Sequence, residues 1–100
     1  MFGRISRKKR EVRDRTVYME VFGDNKVIYR VTAGKVSSFG DEVYTYGIEA
    51  EDRISGAKEV IQDFSRNIED AVDFAEMLIN ARARPQQLYT RALGYLCISI

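Results

Sequence analysis

The spacing of the apolar residues changes near the middle of this chain, from every second residue to every third and fourth. Residues 16–22 and 26–33 alternate between apolar and polar side chains, and this period of two is typical of half-buried strands. The segment Gly23-Asp24-Asn25 lies between them and consists of residues that favour tight turns. The pattern therefore predicts a β-hairpin.

Two further strands are predicted before the period changes. Residues 42–50 are rich in β-branched and aromatic side chains and predict a third strand, whereas residues 34–41 predict a connection with some extended character. Residues 57–64 fit either a strand or a helix, and the preceding Ser-Gly turn favours a fourth strand. Gly47, inside the third strand, indicates a bulge or the close approach of a neighbouring strand.

Beyond residue 66 the apolar residues recur at helical spacing. Asn67 is a good N-cap, and Asp70 stands where a capping box places its acidic partner. We expect this first helix to end near Arg84, because Pro85 disfavours helical backbone in the residue before it. Its amphipathic stripe is formed by Ile68, Ala71, Val72, Ala75, Leu78 and Ile79.

Pro85 also suits the first turn of a second helix, where its missing N–H costs no hydrogen bond. Four strands followed by two helices predict an α+β domain, an antiparallel four-stranded meander with both C-terminal helices packed on one face. One hundred residues fit a single domain of this kind, and 45% hydrophobic residues fit its core. The stripe that the second helix would bury consists of Leu88, Ala92, Tyr95 and Leu96.

The composition excludes most catalytic and metal-binding arrangements. The absence of histidine excludes His-based metal sites and Ser–His or Cys–His pairs, and the single cysteine excludes intrachain disulfides and thiolate clusters. Glu69, Asp73 and Glu76 share a helix face that suits a hard cation, although a solvated face is the simpler interpretation. Glu49 and Glu51 share a strand face and would pair only if the fold enclosed them. We expect no catalytic residue, no metal site and no cofactor.

The formal charge is distributed unevenly along the chain. Residues 1–15 carry seven basic and two acidic side chains, a net charge of +5, whereas residues 16–100 carry a net charge of −4. We therefore expect a basic N-terminal arm over residues 1–15 and a folded domain over residues 16–100. The basic side chains of the arm are Arg4, Arg7, Lys8, Lys9, Arg10, Arg13 and Arg15.

This arm has two interpretations. Its basic side chains are suited to neutralise nucleic-acid phosphates, and tyrosines on the predicted strands are suited to stack unpaired bases. The acidic domain repels nucleic acid, however, and neither an RNP-like nor a helix-turn-helix pattern is present. The other interpretation is a solubilising arm that docks on the acidic region 41–76 of its own or another chain.

The sequence favours a location in the cytoplasm. Charged residues at positions 11, 13, 14 and 15 stand where a secretory signal needs an apolar stretch. The apolar residues 93–100 are too few to span a bilayer. With a single cysteine as well, we expect a cytoplasmic protein that does not enter membranes.

The strand Tyr46-Gly47-Ile48-Glu49-Ala50-Glu51, the amphipathic helix after it and the Pro85–Leu88 helix start form a recognisable series. Over residues 16–96 the chain resembles a family of small uncharacterised bacterial proteins of about this length. The chain departs from that family at Arg84, where a small capping residue is usual, and in its apolar ending at residues 97–100. The resemblance implies the α+β fold and no activity.

These observations together favour a non-enzymatic protein. We expect a small cytoplasmic interaction or regulatory module that acts through protein–protein contacts, with self-association as a homodimer. The alternative function is association with nucleic acid through the basic arm. No small-molecule substrate is indicated.

Overall fold

A computed structural model describes residues 12–99, which form a four-stranded antiparallel sheet with two helices on one face. The strands lie in the order β1-β2-β3-β4, so β1 and β4 are the two edges. The predicted α+β meander followed by two helices is therefore confirmed. The elements are β1 (Arg13–Phe22), β2 (Val27–Ser38), β3 (Asp41–Asp52), β4 (Lys58–Ser65), α1 (Ile68–Asn80), a 3₁₀ turn (Pro85–Gln87) and α2 (Leu88–Ser99).

The hydrophobic core lies between the sheet and the helices. Tyr29 in β2 and Ile48 in β3 are buried against Phe74 in α1, because alternate strand residues point to the same face. The hydroxyl of Tyr29 donates a hydrogen bond to the carbonyl of Ala83 over 2.8 Å, so this buried polar group is satisfied. The other buried core residues are Val27, Val31, Ala50, Ala71, Ala75, Leu78, Leu88 and Ala92. Leu96, the fourth member of the predicted α2 stripe, lies outside the described side chains.

The extended character predicted within residues 34–41 is confirmed, but the connection is only two residues long, because β2 continues to Ser38 and β3 begins at Asp41. Phe39 and Gly40 form a two-residue turn with φ values of 52° and 85°, and positive φ at both positions is typical of a type I′ hairpin. Val36 pairs with Val43 and is only 3% exposed. Pairing with a long neighbouring strand therefore outweighs the weak strand propensity of the glycine and serines in this segment.

β1 begins at Arg13 rather than at Thr16, three residues before the predicted start. Its register against β2 shifts between Arg13 and Thr16, and Asp14 in this interval has a φ of 55°. A bulge of this kind bends an edge strand and limits its pairing with other chains.

The close approach predicted at Gly47 is confirmed. The register of β3 against β4 shifts at this residue, between Tyr46 and Ile48. A Cβ atom on Gly47 would lie 2.6 Å from the carbonyl oxygens of both Ile61 and Gln62 in β4. Only glycine lets the two backbones come this close.

The start of α1 is capped as predicted by Asn67 but not by Asp70. The side-chain oxygen of Asn67 accepts a hydrogen bond from the backbone N–H of Glu69 over 2.9 Å. Asp70 instead accepts a hydrogen bond from the hydroxyl of Ser65, and the same hydroxyl oxygen accepts one from the backbone N–H of Asn67. The aspartate side chain is one methylene shorter than the glutamate of a capping box, and Ser65 bridges the gap.

The helix α1 ends at Asn80, four residues before the predicted end near Arg84. Arg82 adopts a left-handed φ of 53°, and the backbone N–H of Ala83 donates to the carbonyl of Leu78 over 3.0 Å. These features define a Schellman termination, which usually has glycine at the left-handed position. Because arginine stands at that position instead of glycine, the sequence pattern does not indicate the helix end. Pro85 opens the 3₁₀ turn that leads into α2, consistent with its predicted place at a helix start.

Asp52, at the end of β3, and its partner Arg84 connect three loops of the domain through hydrogen bonds. Its carboxylate accepts hydrogen bonds from the backbone N–H groups of Ile54 (2.8 Å) and Ser55 (3.2 Å), and from the guanidinium of Arg84. Arg84 also donates to the carbonyl of Asn25 in the β1–β2 turn over 3.1 Å. The N–H groups of Ile54 and Ser55, with Arg84, hold the pKa of Asp52 below its ordinary value.

We expect the substitution Asp52→Asn to weaken the dependence of the free energy of unfolding on pH in the acidic range. A carboxyl whose pKa is lowered by folding stabilises the fold above its unfolded pKa of about 3.9, and this contribution is lost as the pH falls through the folded pKa. Urea unfolding at a series of pH values measures the effect. The wild type should be the more stable protein near neutral pH, and the two proteins should converge in strong acid. A difference that stays constant over the whole range would contradict this role for Asp52.

Candidate interaction surface

A groove of about 240 Å³ lies between the edge strand β4 and the helix α2. Tyr89 and Leu93 of α2 form one wall and remain 52% and 66% exposed, so two large apolar side chains lie together at the surface. The α2 groove, as we call it, is lined by Ile61, Asp63, Phe64, Tyr89, Ala92 and Leu93.

The base of the α2 groove is held rigidly by aromatic packing. Phe64 stacks on the buried ring of Phe74 with 4.8 Å between ring centroids, and Tyr95 packs against both rings at 5.9 and 5.4 Å. The hydroxyl of Tyr89 donates a hydrogen bond to the carbonyl of Val60 over 2.6 Å, which ties α2 to the edge strand. Such close packing fixes the shape of the groove before any partner binds.

Acidic side chains lie beside the α2 groove. Asp63 forms part of its lining and accepts a hydrogen bond from the hydroxyl of Thr45. Asp70 is held at the base of the groove, because it accepts a hydrogen bond over 3.0 Å from Ser65, the residue after Phe64. Burial, together with the charges of Asp70 and Asp73, raises the pKa of Tyr95. Glu69, Asp73 and Glu76 are exposed along one face of α1, at the spacing that the sequence predicted. We call these three residues the acidic face of α1.

The sheet face opposite the helices carries a cluster of paired charges. The guanidinium of Arg30 bonds to Glu49 over 2.5 Å, to Glu20 over 2.6 Å and to Glu51 over 3.0 Å. Burial lowers the pKa of Arg30, but the hydrogen bonds to the three glutamates outweigh burial and raise it above its ordinary value. Glu49 is 8% exposed and also lies 3.7 Å from Arg15 and 3.6 Å from Lys58. Glu49 and Glu51, which share a strand face as predicted, are therefore both partners of Arg30.

The seven basic residues predicted to contact nucleic acid divide into two groups. Arg13 and Arg15 belong to β1, where Arg13 pairs with Glu42 over 2.6 Å and Arg15 hydrogen-bonds Thr32 over 3.5 Å. These two arginines are held against the sheet by their partners. The other five residues, Arg4, Arg7, Lys8, Lys9 and Arg10, lie outside the described residues.

Two properties of the described part of the chain bear on metals and membranes. Among the side chains that the structure describes, no group of three acids that could hold a metal ion is found, on the acidic face of α1 or elsewhere. None of the helices within residues 12–99 combines the length and the apolar character needed to cross a membrane.

Comparison of the chain with protein-family models, with curated proteins and with solved structures finds no match in any of the three. The geometry of the described residues is therefore the evidence for a functional surface.

The sequence pattern did not single out the α2 groove. It identified Ala92 and Tyr95 as part of a buried stripe, and they line or support the groove. Tyr89 and Leu93 fall outside that stripe but are four residues apart, and therefore share a helix face. This second apolar pair on one short helix was the available signal that α2 has two apolar faces.

Proposed function

We propose that this protein is a small non-catalytic interaction module that binds a segment of a protein partner in the α2 groove. The observation that carries the proposal is the exposure of Tyr89 and Leu93 on the wall of an apolar groove with a rigid aromatic base. Exposed apolar patches with polar rims are typical of contact sites, and tyrosine is a frequent anchor in them. The proposal includes a cytoplasmic location, which the single cysteine supports.

The size of the groove favours side chains of a protein over a whole small ligand. Small-molecule sites commonly enclose about 300–1,000 Å³. The α2 groove, at about 240 Å³, is below that range. It has room for one or two apolar side chains of a bound segment, while the backbone of that segment stays near the surface.

The charge around the groove favours a basic partner segment. The acidic face of α1 presents three exposed carboxylates, Asp63 forms part of the groove lining, and Asp70 hydrogen-bonds Ser65 next to it. Lysine or arginine next to an apolar anchor would complement these charges and accelerate encounter with the groove. We therefore propose a partner segment in which one or two apolar residues are followed by a basic run.

Fluorescence anisotropy with labelled synthetic peptides tests this proposal. The probes carry a phenylalanine and a leucine next to four lysines, and a matched set replaces the lysines with glutamates. We expect saturable binding of the basic peptides only, weakened by salt, and at least about tenfold weaker binding to Leu93→Ser. Val17→Ser on β1 is the matched control, because Val17 is 55% exposed at the opposite edge of the sheet.

Two outcomes would overturn the interaction proposal. One is the absence of saturable binding by any basic peptide. The other is equal binding by Leu93→Ser and Val17→Ser, which would show that the peptides do not use the α2 groove.

The second candidate function is nucleic-acid association through residues 4–10, where five basic side chains occur within seven positions. Binding to mixed-sequence DNA or RNA should then weaken steeply with salt, because neutralised phosphates release counterions. Deleting residues 1–11 leaves β1 and its paired Arg13 in place. Unchanged binding after that deletion would exclude the arm as the nucleic-acid site.

A further inference from the structure

We propose that the segment bound in the α2 groove is residues 1–11 of a second copy of this chain, exchanged reciprocally within a homodimer. This inference rests on the proposed function, because it names the occupant of the same groove. Its basis is the charge of the two surfaces, the order of residues in the segment and the positions of the two sheet edges.

The charges of the segment and of the groove surroundings are complementary. Residues 1–11 contain five basic side chains and one acidic side chain, a net charge of +4. The basic run at residues 7–10 is matched by the exposed acidic face of α1. Opposite charges of this kind select a partner and fix its register, even where each exposed pair adds little affinity.

The order of residues within the segment also fits the surface. Phe2 and Ile5, together with Met1, are the large apolar side chains near its start, and the basic run at residues 7–10 follows after Ser6. On the folded domain, the apolar groove and the acidic face of α1 are likewise neighbours, because Asp73 directly precedes Phe74, whose ring packs against Phe64 and Tyr95 at the groove base. An apolar anchor in the groove therefore leaves the basic run beside the carboxylates.

The positions of the two sheet edges favour exchange between two copies. The segment joins β1, which is one edge of the sheet, whereas the groove lies against β4, the opposite edge, three strand spacings or about 14 Å away. To reach its own groove, the segment would have to cross the full width of the sheet. A second copy can present its segment directly at β4. A two-fold axis then forms the same contact twice.

Sedimentation equilibrium with complementary variants tests the exchange. We expect the full chain to be a dimer, and the deletion of residues 1–11 and the variant Leu93→Ser each to be monomers. The deletion variant keeps its groove and Leu93→Ser keeps its segment, so an equimolar mixture should form a 1:1 heterodimer through one contact. Val17→Ser should remain a dimer.

A third variant tests whether loss of folding is the cause of a change in oligomeric state. Phe2→Ser with Ile5→Ser alters only the segment, so unfolding of its domain by urea should match the wild type while dimer formation is lost. A full chain that is monomeric from micromolar to millimolar concentration, or a deletion variant that remains dimeric, would overturn the exchange.

The possible outcomes distinguish a failure of the second-copy inference from a failure of the proposed function of the groove. If the full chain is monomeric but designed basic peptides bind in a Leu93-dependent manner, the second-copy inference fails and the proposed function stands. If the full chain is monomeric and a labelled peptide of residues 1–11 binds the deletion variant more tightly than the full chain, the segment occupies its own groove and the second copy is excluded. If the full chain dimerises through residues 1–11 but Leu93→Ser does not weaken the dimer, the groove is not the site.

Discussion

Replacing Phe74 with alanine is expected to lower the free energy of unfolding of this domain by about 3–5 kcal/mol. The ring of Phe74 is fully buried and stacks on Phe64 at 4.8 Å. Its removal leaves a cavity between the helices and β4 and also removes the support of Tyr95. Domains of this size commonly have about 5–15 kcal/mol of stability, so the variant should be close to unfolding.

Urea denaturation followed by circular dichroism measures this loss. Tyr18→Ala is the matched control, because Tyr18 is 60% exposed on the edge strand β1 and should change stability by less than about 1 kcal/mol. Equal losses in the two variants would show that the aromatic cluster does not hold the core together. Because Phe74 supports the base of the α2 groove, the same variant should also lose peptide binding.

The second large effect is expected for Arg30→Met, which should destabilise the domain by about 3 kcal/mol. The substitution leaves Glu20, Glu49 and Glu51 together on one face of the sheet without their common partner. Glu49 is 8% exposed, so its carboxylate is poorly solvated there. Arg15 and Lys58 remain within 4 Å of Glu49. We therefore expect the loss of stability to lie at the lower end of the range for broken buried ion pairs.

Two further variants separate charge from packing in this prediction. Arg13→Met removes a pair with Glu42 in which both side chains are about half exposed, and it should cost less than about 1 kcal/mol. Adding Glu49→Gln to Arg30→Met should restore part of the lost stability, because the buried carboxylate, which then has only the longer contacts to Arg15 and Lys58, is replaced by a neutral amide. Chemical unfolding of all four proteins at neutral pH provides the measurement. No recovery in the double variant would mean that Arg30 acts through packing alone.

The sequence predicted the fold most reliably where local pattern and tertiary contacts agree. The hairpin at Gly23-Asp24-Asn25 and the stripe of α1 are examples, because turn chemistry and amphipathic spacing act over a few residues. It was wrong about the bounds of elements where a distant contact decides the outcome. Val36 is extended because it pairs with Val43. The helix α1 ends early because Arg82 adopts a left-handed conformation, and glycine, the residue that usually indicates such a conformation in a sequence, is absent from that position.

The candidate site was harder to predict than the fold for the same reason. Ile61 and Phe64 lie on β4, more than twenty residues before Tyr89 and Leu93 on α2. No local pattern indicates that these two pairs face each other. The basic arm, in contrast, was visible directly as a run of charge, and only the position of β1 showed that Arg13 and Arg15 are already engaged by Glu42 and Glu49.

The amino-acid sequence by itself determined the class of the fold, the order of its elements, the separation of charge between residues 1–15 and the rest, and the lack of histidine chemistry. These properties depend on composition and on spacing along the chain, which need no knowledge of distant contacts. Only the tertiary structure decided which acids and bases pair, where α1 ends, and that β4 and α2 enclose an apolar groove. Such features arise from packing between remote segments, and packing energy depends on the three-dimensional fit of all of them at once.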